Sequence, residues 1–174
     1  MTERQPVDVL TRLAQTLLED AAMPAKRARL KAEILVEADL LGHTTHGLQL
    51  LPAYLRALAE GTMRATGEVE IVADTGATQV WNGRRLSGVW LTAAAVDDAV
   101  ARAATHGIAA VAIRESHHIA CLAAYLERAT AKGAMVTILS SDPAAKSVAP
   151  YGGRTPVMTP NPIAIGIPTD GDPI

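Results

Sequence analysis

Residues 108–113 form an uninterrupted apolar run, residues 119–132 carry helical spacing up to Gly133, and residues 135–139 form a second apolar run. Short continuous apolar runs of this kind read as strands buried on both faces, and two of them joined by one helix make a βαβ unit with a right-handed crossover. The pattern therefore predicts an α/β fold. It also locates the chemistry, because in open α/β sheets ligands bind beyond the carboxyl ends of parallel strands. One such end delivers Arg114-Glu115-Ser116-His117-His118 and the other Ser140-Ser141-Asp142-Pro143. If the two strands are neighbours, an imidazole meets the hydroxyls and carboxylate of residues 140–142.

Upstream, Val7, Leu10, Leu13, Ala14, Leu17, Leu18 and Ala21 recur at helical spacing, which predicts an amphipathic first helix. Pro24 suits the first turn of a second helix, with Leu30, Ile34, Ala38 and Leu41 on one face and Lys26, Arg27, Arg29, Lys31, Glu33 and Glu37 in solvent, ending at Gly42. Leu48, Leu51, Leu55 and Leu58 predict a third helix, in which Pro52 must sit in the first turn or kink the backbone. Residues 69–73 and 78–81 read as a β-ribbon between turn signals, and residues 89–106 as a helix capped by Gly107. Beyond Ser140, six prolines from Pro143 to Pro168 exclude regular helix, while residues 163–167 can still form a strand. The expected organisation is a helical segment over 1–60 and the start of an α/β domain over 61–174, with the remainder beyond 174.

Composition narrows the function. Of 174 residues, 49% are hydrophobic, enough for a sizeable core, and the net charge of −2 supplies no field for a nucleic-acid backbone or an anionic membrane. Cys121 is alone, which excludes an intrachain disulfide framework and fits a reducing compartment. Without an apolar signal segment at the start or a membrane-length run, the expected location is the cytoplasm.

His118 or His117 can move a proton near neutral pH, or can simply cap the helix expected to follow. Gly42-His43-Thr44-Thr45-His46-Gly47 forms a second histidine loop, where Gly47 permits close approach to a ligand and Thr45 can serve as a helix N-cap. His43, His46, His117, His118 and Cys121 have spacings that zinc sites use, but no carboxylate or further cysteine completes the set, so no metal is expected. No dinucleotide or phosphate-loop glycine fingerprint occurs, which excludes a Rossmann reading, and no nucleophile elbow favours a serine hydrolase.

Three segments together resemble the malate/L-lactate dehydrogenase family, which is separate from the Rossmann-type dehydrogenases. The stretch from Asp39 to Gly47, running on to Tyr54, is similar to the family's D-x-x-G-x-x-(S/T)-H-G; Ser116-His117-His118-Ile119-Ala120 is similar to its S-x-H-F-G. Residues 148–153 and 159–164 are similar to its A-P-x-G-G and T-N-P-I-A segments. The resemblance implies a non-Rossmann, NAD- or NADP-dependent oxidoreductase for a small 2-oxo or 2-hydroxy acid or a cyclic imine, assembled as a homodimer. It implies His118 as the catalytic acid/base, Thr45 and His46 in the substrate pocket, and His46, Ser116, Ser140, Asp142 and Asn161 toward the cofactor. The family's arginine four residues after the histidine of the His-Gly pair is Leu50 here, which leaves Arg56 or Arg154 to hold a substrate carboxylate, or implies a substrate less acidic at that end. Ile119 and Ala120 stand where Phe-Gly is usual. The rival reading is a metal-dependent hydrolase or lyase built on the two histidine loops, or a non-catalytic fragment.

Overall fold

A computed structural model describes residues 4–142 and 145–174, so Pro143 lies outside the described residues. Two long helices open the chain, α1 (Val7–Asp20) and α2 (Ala25–Leu40), the second entered through Pro24. They pack on each other through Ala14 and Leu18 of α1 and Ala28, Ala32 and Leu35 of α2, all without exposed surface. Alanines at the contact let the backbones approach closely, while the leucines supply most of the buried apolar area. The expected stripe on α1 is only half used, since Val7, Leu13 and Leu17 remain exposed. On α2 the expectation of a solvated Lys31 is overturned: Lys31 has no exposed surface at all.

After α2, short 3-10 turns at Thr44–His46 and Leu48–Leu50 lead into α3 (Leu51–Ala59). Pro52 occupies its first turn, where a missing amide donor costs nothing. Strands β1 (Glu70–Asp74) and β2 (Thr78–Asn82) form the antiparallel ribbon, with a register shift between Ile71 and Ala73. Helix α4 (Gly88–His106) then crosses to β3 (Ala110–Arg114), which pairs with β2 in parallel. The side chain of Arg102 on α4 pairs with Asp74 at 2.9 Å and thereby ties the helix to the ribbon. That carboxyl is held at about 2 by hydrogen bonds from Arg102, Gly76 and Gln79.

The βαβ unit is therefore β2–α4–β3, one step earlier than the apolar runs suggest. Strand β4 (Val136–Leu139) does not join this sheet; it pairs antiparallel with β5 (Ile163–Gly166). Nor does a continuous helix fill residues 119–132. The chain runs irregularly to Cys121, takes a 3-10 turn at Leu122–Tyr125, and forms only a short α5 (Glu127–Thr130). Two local facts explain the failure. Ala120 adopts φ +56°, outside the right-handed helical region, and the buried Tyr125 donates its hydroxyl back to the Ile119 carbonyl at 2.5 Å. Strand β3 is also half exposed on alternate residues, not buried on both faces.

One close approach positions everything that follows. A Cβ added to Gly88, in the first turn of α4, would fall inside the van der Waals shell of the His117 and His118 carbonyl oxygens. The helix thus lies directly on the segment leaving β3. Gly88→Ala is expected to lower stability by at least about 2 kcal/mol, because backbone on both sides must move. Urea denaturation of the variant checks this, and an unchanged midpoint would contradict the contact.

Candidate active site

The segment that carries the histidines is a continuation of strand pairing. The Gly83 N–H donates to Arg114 O at 2.8 Å, Arg85 N–H to Glu115 O at 2.7 Å and His117 N–H to Leu86 O at 3.3 Å. His118 then projects from the carboxyl end of β3 toward α3, where the buried Tyr54 hydroxyl lies 2.7 Å from its Nδ1. The Ala120 N–H donates to the same nitrogen at 3.2 Å. A nitrogen that accepts from a backbone amide carries a lone pair, so the neutral ring holds its proton on Nε2 and the Tyr54 hydroxyl donates to Nδ1. Burial pushes the Tyr54 phenol well above its ordinary value, which keeps that donor protonated.

His46 is brought to the same place by the turn after α2. Its ring centroid lies 5.9 Å from that of His118 with the planes 28° apart, and its Nδ1 is 2.9 Å from Thr45 Oγ1. Thr45 is therefore not a helix cap. The capping role falls to Asp39, whose Oδ2 accepts from Leu48 N–H at 2.9 Å. Gly47 is required by the same carboxylate, because any Cβ there would collide with Asp39; the close approach is to protein, not to a ligand.

Burial and neighbouring charges weaken the hold of His118 and His117 on a proton. The proton affinity of His118 is lowered by burial of part of its ring, then by His46 and Lys31, against the opposing pull of Asp142. His117 is pushed down to about 4 by burial, with Lys31, His118 and Arg85 adding to it. Its ring stands 6.0 Å from that of Tyr54, and its Nδ1 is buried without a hydrogen-bond partner among the described residues. Beneath Tyr54, the Lys31 amine sits 3.5 Å from the ring centroid.

The structure thus brings Thr45, His46, His118 and the charge of Asp142 together. Ser116 turns its hydroxyl to the His117 carbonyl at 2.9 Å. Ser140 and Asn161 come close to each other, since Ser140 N–H donates to the carbonyl of Pro162 at 3.2 Å. Arg56 is not brought to the cluster: two residues beyond the inward-facing Tyr54 on α3, it lies exposed on the opposite face. The cation whose charge reaches His117 from the loop side is instead Arg85. It borders an open depression with Arg64, Arg84 and Arg114 at the carboxyl ends of β2 and β3. Sequence reasoning missed Tyr54, Asp39, Lys31 and Arg85 as parts of this site. Among the described residues, no group of three or more metal-ligating side chains is close enough to hold an ion.

Ala120 holds its amide against His118 only by adopting a left-handed backbone. That conformation costs a residue with a Cβ about 1–2 kcal/mol. Ala120→Gly relieves that strain but adds about 0.5–1 kcal/mol of chain entropy and gives up a buried methyl worth about 0.8 kcal/mol, so stability is expected to stay within about 1 kcal/mol of wild type. Chemical denaturation reads the difference directly.

The sequence and the fold have known counterparts. Residues 6–174 match the model of the family described as Malate/L-lactate dehydrogenase. The chain is 31% identical over 160 residues to L-sulfolactate dehydrogenase of Methanothermobacter thermautotrophicus, covering 91% of this chain and 46% of that protein. It superimposes on the solved malate dehydrogenase of Pyrococcus horikoshii with a TM-score of 0.92 at 27% identity, covering 98% of this chain and 49% of the other. The Δ1-piperideine-2-carboxylate reductase of Pseudomonas syringae pv. tomato gives 0.83 at 28% identity, covering 99% and 52%. The chain spans about half the length of these relatives. With a family match over nearly its whole length and the same fold in the solved relatives, this chain belongs to the malate/L-lactate dehydrogenase family.

Proposed function

We propose that the full-length protein is a NAD(P)-dependent oxidoreductase acting on a small 2-oxo/2-hydroxy acid or a cyclic imine, with His118 as its proton-transfer group. The observation that carries this reading is the two-donor grip on His118 Nδ1 by Tyr54 and Ala120, which orients the ring and leaves Nε2 for a substrate atom. The residues present fit a nicotinamide. The exposed ring of His46, 5.9 Å from that of His118, offers it a flat face. Ser140 follows β4 and its N–H pairs with the carbonyl of Pro162, next to Asn161 in the chain, which brings both polar residues to the end of that strand pair as candidate partners. When bound, the cofactor supplies the hydride in reduction and takes it in oxidation.

The protein's own residues handle the proton. In reduction, protonated His118 donates from Nε2 to the developing alkoxide or amine nitrogen, leaving a neutral ring protonated on Nδ1 whose N–H is hydrogen-bonded to the Tyr54 oxygen. In oxidation, the ring first exchanges with solvent to the tautomer protonated on Nδ1, whose N–H then faces the Tyr54 oxygen, and the freed Nε2 lone pair takes the hydroxyl proton. His46, held by Thr45, is placed to hydrogen-bond the substrate, and Arg85 supplies the positive charge for a substrate carboxylate that Arg56 does not reach. Asp142 favours the protonated ring and the surrounding positive charges disfavour it. The exposed apolar faces of α1 and of the β4–β5 pair offer surface for a homodimer, and the cytoplasm suits its single cysteine. No helix among the described residues is long and apolar enough to cross a membrane.

His118→Ala in the full-length protein is expected to reduce kcat by about 10²–10⁴-fold while leaving NAD(P)H affinity nearly unchanged. Wild-type-like turnover in that variant would refute the assignment. The pH profile gives a second check. Because His118 binds its proton less tightly than a free imidazole, whose midpoint is about 6.5, kcat/KM for oxidation should be level at neutral pH. It should fall about tenfold per unit only below that value, and reduction should show the opposite slope. An oxidation rate still climbing through pH 8 would contradict the neutral-ring assignment.

A further inference from the structure

Lys31 is a buried base that the reaction above does not use. It occupies the middle of α2 with no exposed surface, in a position where an apolar side chain would fill the same space without desolvating an amine. Its Nζ lies 3.4 Å from Ser87 Oγ, 3.5 Å from Met63 Sδ and 3.5 Å from the centroid of the Tyr54 ring. These three partners equal in number the three N–H donors of an ammonium, and none of them carries a charge. No carboxylate among the described residues pairs with it.

The ring that Lys31 faces is the one whose hydroxyl donates to His118 at 2.7 Å. A cation against the face of a phenol polarises it and strengthens its O–H as a donor, which favours the neutral imidazole that accepts from it. The same positive charge, held in a dry interior, directly opposes a second one on the imidazole. We propose that Lys31 is a positioning residue that governs, through Tyr54, how tightly His118 holds its proton. This deepens the reading of His118 as the proton-transfer group and rests on it.

Burial brings the Lys31 amine down to about 7, so its charge changes within the range in which the enzyme would operate. Other groups face His118 from the neighbouring elements. His46 approaches from the turn after α2, His117 from the same segment and Asp142 from beyond β4; Arg85 acts on His117, and Tyr125 lies beside Tyr54. Lys31 is the charge that reaches His118 across the phenol ring, so it can be removed while every group in contact with the imidazole stays in place.

The test is a pH titration of the full-length protein labelled with ring-15N histidine, followed by NMR, in wild type and in Lys31→Met, which preserves volume and removes the charge. The His118 midpoint is expected to rise in the variant by at least about half a pH unit, from loss of one nearby charge. A midpoint within about 0.2 unit of wild type would overturn the proposal. Should Lys31→Met fail to fold, the wild-type curve decides: coupling requires a second inflection of the His118 ring shifts near pH 7 as Lys31 titrates, and its absence overturns the proposal equally. The pH profile of kcat/KM for the same variant separates the two layers. A profile that moves with the NMR midpoint supports both; an NMR shift with an unmoved profile supports the coupling and overturns the catalytic role of His118. Loss of packing alone would leave the titration midpoint in place.

Discussion

The phenol of Tyr54 joins the helical part of the chain to the segment that leaves β3. Its hydroxyl meets His118, its edge meets His117 and its face meets Lys31, while the side chain itself is fully enclosed. A buried tyrosine hydroxyl without a partner is costly, so the helices and the histidine segment have one mutual arrangement in which this group is satisfied. Residues far apart in sequence are thereby held in one register, and α3, which has few other ties to the sheet, becomes part of the site.

Much of this architecture is legible in the residues. The helical spacing of α1, α2 and α4, the first-turn position of Pro52 and the ribbon bounded by Asp74-Thr75-Gly76 follow from local rules that tertiary packing does not override. The βαβ unit was misplaced for a physical reason. Apolar content alone cannot tell a strand of one sheet from a strand of another, so β3 and β4 look like partners although each pairs elsewhere. The failed helix over 119–132 has a different origin: one left-handed alanine and one tyrosine hydroxyl, neither of which leaves a periodic trace.

Within the site, the imidazoles were accessible because histidine announces its chemistry and because strand ends are where such chemistry gathers. Lys31 was not. On a helical wheel it belongs with the charged residues of α2, and only the arrival of Met63 and Ser87 from later elements encloses it. Arg56 failed in the opposite sense, since its charge is real but helix rotation points it away from Tyr54. The signal that would have found Arg85 is its place in the turn directly after β2, in the strand that turned out to be paired in parallel with β3.

The ion pair between Arg102 and Asp74 and the unpartnered imidazole of His117 respond to acid at different points. Between about 6.5 and 4 an unfolded chain takes up a proton at position 117 that the folded one refuses, so stability drains from the histidine segment first. The carboxyl at 74 keeps its charge down to about 2, and the clasp between α4 and the ribbon outlasts that loss. Mild acidification therefore withdraws stability through His117 well before it reaches the carboxylate that joins α4 to the ribbon.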